Sequence, residues 1–282
     1  MSISISNLQP STVWRAYITD LKDGALRTVG VNYFMSHGSP MNAIANNNYT
    51  KSVAKEGEKY KPSAIVVVSA HWHTNGVTKV QSDLENKVIY DFGGFPRELY
   101  EVQYPTSGSA EVAEKIKQQI PQVEITQEWG LDHGAWSFLK HMYPKSDIPI
   151  VQLSINRHFS MQQHYEMGKK LSFLNDENVM IIGSGNVSHN LSLVDFYEES
   201  VDPTTQWSKD LNEATNEAIK NNNLNGLVNY KNLPGSQYGI ATNDHYIPLL
   251  YVLGASHNKK NKEWFYKGYE LGTLSMDCIK FF

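Results

Sequence analysis

Short apolar runs alternate with one-faced amphipathic stretches along most of this chain. "VGVNYFM" (29–35), "AIVVVSA" (64–70), "VEIT" (123–126), "IPIVQLSI" (148–155) and "VMIIGS" (179–184) are brief and rich in β-branched residues, which predicts strands. Several lack polar alternation, the pattern of strands covered on both faces. Between them, "SAEVAEKIKQQI" (109–120) sets Val112, Ile116 and Ile120 on one helical face behind a Ser109 cap. "SMQQHYEMGKKLSFL" (160–174) opens with Ser160 and Gln163 at capping-box spacing. A polar-faced helix is expected over 203–223, with Pro203 near its first turn, and a buried one over 244–255. The tail offers two strand-like runs around Leu271-Gly272-Thr273, a closing hairpin. The alternation predicts an α/β fold: a central, mostly parallel sheet flanked by helices.

Composition narrows the class. A chain of 282 residues can bury a sizeable core as one unit, so a single catalytic domain is expected over 1–282, with residues 1–28 an N-terminal extension packed on it. The 25 Lys+Arg against 29 Asp+Glu give a formal charge of −4 without a basic block, which argues against a nucleic-acid partner. No run approaches the ~20 apolar residues of a membrane span. The first residues lack the apolar centre of a secretion signal, and the single cysteine, Cys278, cannot form an internal disulfide. A cytoplasmic protein is expected, with Cys278 buried in a strand.

The chemistry lies in the histidines. Of ten, three directly follow a predicted strand: His37, His71 and His189. In open α/β sheets, ligands bind outside the carboxyl ends of the strands, so residues delivered there by different strands converge. His245, at the entrance of the 244–255 helix, and His133, in the loop "EWGLDHGAW", could complete the set. Three neutral imidazoles suit zinc, iron, copper or nickel and leave positions open for water or substrate. His71 and His73 form an H-x-H pair; were the strand to run on, both would face one side, whereas a strand ending at Ala70 would turn only one inward. His141, His158, His164 and His257 are expected to be solvated. "GSGNVS" (183–188) falls short of a dinucleotide fingerprint and of a nucleophile elbow.

Read together, "SHGSPMNAI" (36–44), "IVVVSAHW" (65–72), "YDFGGFPRELYEVQYP" (90–105), "LDHGAWSFLKHMYP" (131–144), "GSGNVSHNL" (183–191), "HYIPLLYVLGA" (245–255) and "GTLSM" (272–276) resemble the DOPA-type extradiol ring-cleaving dioxygenases of the class III, LigB-like superfamily. The blocks run in the family's order from about residue 31 onward. The resemblance implies that His37, His71 and His245 hold the metal and that His133 and His189 form the acid/base and substrate-contacting pair. His189 could become a fourth ligand to zinc. Many members of the wider superfamily supply a glutamate as third ligand, where this chain has His245; an all-imidazole site also suits Zn(II), while ring cleavage calls for Fe(II).

The implied reaction joins a small aromatic diol and O2 to give a muconic semialdehyde. Three neutral imidazoles leave the +2 charge uncompensated, which favours binding of the deprotonated catecholate. His189 is the first choice to take the proton, with His133 hydrogen-bonding the reacting oxygens. Phe92 and Phe95 in "YDFGGFP" could wall an aromatic ring, and Tyr246 and Trp136 could line the pocket. Two alternatives are a zinc-dependent hydrolase of the amidohydrolase type and a non-catalytic metal-binding relative.

Overall fold

Within residues 30–282, which the computed structural model describes, the apolar runs pair into one large sheet. The expected extension over residues 1–28 lies outside the described residues. The strands are β1 (Asn32–Ser36), β2 (Ala64–Thr74), β3 (Lys79–Gln81), β4 (Glu124–Thr126), β5 (Ile150–Asn156), β6 (Val179–Gly185), β7 (Lys262–Tyr266), β8 (Tyr269–Glu270), β9 (Leu274–Ser275) and β10 (Cys278–Phe281). The helices are α1 (Asn48–Gly57), α2 (Arg97–Tyr100), α3 (Ala110–Gln119), α4 (His133–Met142), α5 (Met161–Leu171), α6 (Gln206–Lys220), α7 (Leu224–Val228), α8 (Ser236–Gly239) and α9 (Ile247–Ala255).

Eight strands run in the order β4-β3-β5-β2-β6-β1-β10-β7. The central four, β5-β2-β6-β1, are parallel; β10 beside β1 and β3 beside β5 are antiparallel. The tail therefore divides. β8 and β9 form the expected hairpin across Leu271-Gly272-Thr273, while β7 and β10 join the main sheet, where Cys278 is buried.

The unbroken apolar character of β2 follows from cover on both faces. Ile65 and Val67 pack with α1 and α4 residues such as Val53 and Leu139, whereas Ala64, Val66 and Val68 face the opposite cluster with Ile116 of α3 and Leu171 of α5. Each fully buried aliphatic side chain contributes about 1.5–3 kcal/mol. α9 is apolar all round because it is buried all round, with Leu249, Leu250, Tyr251 and Val252 fully inaccessible.

Several elements differ from the sequence expectation. β3 is too short to carry a legible period. α6 begins at Gln206 behind Thr205, so Pro203 precedes the helix rather than sitting in its first turn. His133 is the first residue of α4, not part of a loop, with Asp132 at the N-cap.

Candidate active site

The carboxyl ends of the parallel strands and the entrance of α9 bring histidines to one point. His37 follows β1, and its N–H continues the ladder to Gly185 O at 3.1 Å. His71 lies in an irregular stretch of β2: Val68 pairs with Leu153 and His73 with Ile155, so residues 69–72 stand opposite Ser154 alone. Such a bulge re-aims a side chain without ending the strand. It also separates the H-x-H pair. β2 runs on to Thr74, yet His73 turns back and its Nε2 bonds Ala70 O at 2.8 Å. Accordingly, His73→Ala should leave metal binding at the parent level and cost only about 1 kcal/mol of stability, read by chelator competition and urea unfolding.

His245 arrives through a close backbone approach. Asn186 N–H donates to His245 O at 2.9 Å, and a Cβ at Gly185 would lie 2.0 Å from that same oxygen. This is the physical use of the glycines in "GSGNVS". Gly185→Ala must displace His245 and should weaken metal binding by about 10–100-fold, the range seen when a ligand's support is lost; a chelator titration would show it, and an unchanged affinity would refute it.

The rings of His37, His71 and His245 form a near-equilateral triangle, with centroids 4.8, 5.1 and 5.2 Å apart. Their outer nitrogens are engaged. His37 Nδ1 lies 2.9 Å from Ser184 Oγ, which itself donates to Gly134 O, so the imidazole is the donor. His71 Nδ1 lies 3.1 Å from Asp91 Oδ2 and 3.5 Å from Asp132 Oδ1, close enough for an ion pair though off the line of a good hydrogen bond. His245 Nδ1 lies 3.2 Å from Asp244 Oδ1. The Nε2 atoms are left for the centre: that of His37 is buried without a partner, and those of His71 and His245 face each other at 3.2 Å.

Electrostatics supports the same reading. Burial and the neighbouring rings push His37 well below the ordinary histidine value, and burial lowers His245 to about 4. Burial would lower His71 too, but the carboxylates of Asp132 and Asp91 overturn that and hold it up at about 9. Positive charge in the cluster is thus favoured on His71, where the two carboxylates stand behind the ring, and disfavoured on His37 and His245. The donor set fits a divalent cation.

A second group of close donors, His71, Asp91 and His133, overlaps the first. Two of its members are already joined by hydrogen bonds: Asp91 Oδ1 accepts the backbone N–H of His133 at 2.8 Å and the His133 Nδ1–H at 2.9 Å. These contacts make Asp91 an anchor. They also leave His133 Nε2 outside the contact with Asp91, and its ring is stacked 4.1 Å from that of His71.

His189 is held by its N–H to Gly239 O, and its ring lies parallel to His245 at 3.5 Å and 3°. It is in neither of the two groups of close donors among the described residues. Burial and the adjacent His245 lower it to about 3. Phe92 meets the edge of His133 at 5.5 Å, and Phe95 packs on Phe92 at 5.3 Å. Tyr246 and Trp136 are packing residues instead of pocket walls: Tyr246 is buried against Tyr230 with its hydroxyl on Leu227 O, and Trp136 is buried with its Nε1 on Ile89 O.

Other expectations are corrected as well. His164 is buried beside Tyr251, with Nδ1 3.3 Å from the hydroxyl, on a helical face turned inward, whereas His141 is half-buried and its Nε2 bonds Asn42 O at 2.8 Å. Nor would a +2 ion held by these rings be uncompensated. Asp91, Asp132 and Asp244 stand behind the rings, the arrangement that orients metal-bound imidazoles and raises their basicity. Sequence reasoning missed all three carboxylates, although two announce themselves as Asp-His pairs at 132–133 and 244–245. Asp132 is tied further by Ser69 Oγ at 2.6 Å and Gln152 Nε2 at 2.8 Å.

Comparison with known proteins is decisive. The profile of the family described as the catalytic LigB subunit of aromatic ring-opening dioxygenase matches residues 32–275. The chain belongs to this family. It is 42% identical to a 4,5-DOPA dioxygenase extradiol of Escherichia coli (strain K12) over 258 residues, covering 88% of this chain and 93% of that relative. A 4,5-DOPA dioxygenase extradiol of Beta vulgaris is 32% identical, covering 92% and 98% of the two chains. A crystal structure of an uncharacterized protein from Escherichia coli K12 superposes with a TM-score of 0.77 at 37% identity, covering 89% of this chain and 99% of that one. The LigB-family chain is an extradiol ring-cleaving dioxygenase dependent on a metal, and its substrates are an aromatic compound and O2. The hydrolase and non-catalytic alternatives are set aside. No helix among the described residues is long and apolar enough to cross a membrane.

Proposed function

We propose that this dioxygenase opens the ring of a DOPA-like catechol to a muconic semialdehyde, with Nε2 of His37, His71 and His245 holding one Fe(II). The observation that carries the ligand assignment is the triangle itself: three imidazoles whose outer nitrogens are engaged and whose inner ones converge. A divalent metal there would supply Lewis acidity toward a bidentate diol and, as Fe(II), a means of engaging O2. Zn(II) fits the same donors but lacks that redox capacity.

The chain's own residues supply orientation and proton movement. Ser184, Asp91 with Asp132, and Asp244 fix the tautomers of His37, His71 and His245 so that each presents Nε2. Asp91 does the same for His133, and its carboxylate stabilises the imidazolium formed when Nε2 accepts a proton from a substrate hydroxyl. That oriented pair favours His133 over His189 as the base, reversing the order the sequence suggested. His189 then serves as a hydrogen-bonding neighbour. Phe92 and Phe95 form an apolar wall against which an aromatic ring can lie, limiting water beside His133.

Residues 30–282 act in this proposal as one catalytic unit in a cytoplasmic setting, a reading supported by the main eight-stranded sheet, in which β1 near the start of the described residues pairs with β10 at their end. After anaerobic loading with Fe(II), the protein should consume one O2 per L-DOPA opened and give a yellow semialdehyde. No oxygen uptake from chains carrying one iron each would contradict the proposal.

A further inference from the structure

One carboxylate near the centre has no task in the chemistry above. Glu270 ends β8, and its Oε2 faces the loop that follows His37. It accepts the Ser39 N–H at 2.8 Å and the Asn42 side-chain amide at 3.2 Å. The same Asn42 amide donates to the carbonyl of His37 itself at 3.3 Å. Asn42 is pinned in turn, its Oδ1 accepting Asn47 Nδ2 at 3.2 Å and its backbone oxygen bonded by His141.

The local backbone is shaped around this contact. Gly38 has φ +62°, in the left-handed region, and a Cβ there would lie 2.1 Å from Glu270 Oε2 and 2.6 Å from Met276 Sδ. Only glycine lets the chain turn here while the carboxylate comes so near. Burial raises the Glu270 carboxyl above its ordinary value against the pull of the Ser39 and Asn42 donors, so holding it here costs desolvation that a surface site would not.

The hairpin that carries Glu270 is itself braced. Asp195 N–H donates to Leu271 O at 3.0 Å and Thr204 N–H to Gly272 O at 2.9 Å, both from the segment after His189. Asn186 closes the other side, giving its amide to Ser275 O at 2.8 Å and accepting the Gly38 N–H at 3.3 Å. The hairpin thus stands between the loop after His37 and the segment after His189.

We propose that Glu270 is a positioning residue for the metal centre, fixing the 37–42 loop through Ser39 and Asn42 so that His37 Nε2 meets those of His71 and His245. The inference rests on the reading of His37 as a ligand. Its test is the dissociation constant of Zn(II), competed against a chelator, for the full-length parent, Glu270→Ala, Glu270→Gln and Asn42→Ala, with melts of each protein with and without Zn(II). Glu270→Ala should weaken Zn(II) binding by about 10–100-fold and shrink the metal-induced rise in melting temperature. Glu270→Gln, which keeps one acceptor oxygen, should recover most of that loss. Should Glu270→Ala fail to fold, Asn42→Ala cuts the same relay from its other end and should weaken binding likewise. Parent-like affinity in the variant that folds would overturn the positioning role, as would a loss of metal-free stability that accounts for the whole effect. A parent that takes up no Zn(II) would instead overturn the ligand assignment beneath it.

Discussion

His71→Ala should lose metal binding and ring cleavage together. The substitution removes one of three proposed ligands and also takes a donor from two carboxylates, Asp91 and the fully buried Asp132. Metal affinity should fall by more than the roughly 100-fold that marks the upper end for outer-sphere changes. Catechol-dependent oxygen uptake should fall to that of free Fe(II). Stability should drop by about 1–3 kcal/mol, since Asp132 keeps Ser69, Gln152 and Trp129 as donors but no longer faces an imidazole. Chelator competition and urea unfolding on one preparation separate the two effects. Parent-like metal affinity would remove His71 from the centre.

The second large effect belongs to His133. It lies outside the triangle, so His133→Ala should keep a full complement of iron and still lose about 10²–10⁴ in kcat, the range for positioned proton transfer. Asp91→Asn tests the supporting contact, because an amide in place of the carboxylate cannot stabilise the imidazolium and weakens the hold on both His71 and His133. A kcat for His133→Ala equal to the parent's, at matched iron content, would assign the proton to another group, with His189 the next candidate.

The positions of the proposed ligands were legible because chain topology, not fine packing, sets them. His37 stands just past the end of β1 in "FMSH", His71 where the apolar run of β2 gives way in "VVVSAH" although the strand itself continues to Thr74, and His245 where an apolar helix begins. The parallel centre of the sheet was legible for a related reason, since runs such as "AIVVV" without polar alternation need cover on both faces.

What stayed hidden depends on contacts between distant segments. No local pattern announces the irregularity at residues 69–72 that aims His71 inward and leaves His73 on Ala70 O. Asp91 meets His133 across 42 residues of chain, and Glu270 meets Ser39 across 231. His164 was misread because a histidine on a helix says nothing about which face the fold turns inward. The charge balance was misread for the same reason: the imidazoles were visible as a set, but the carboxylates behind them were not.

The account depends most on where the cation sits, and anomalous diffraction from crystals of metal-loaded protein locates it. It predicts one peak per chain, about 2.0–2.3 Å from Nε2 of His37, His71 and His245, with adjacent positions open toward Phe92. A peak bound instead to Asp91 and the Nδ1 atoms of His71 and His133, or a coordination sphere closed by protein on every side, would contradict it.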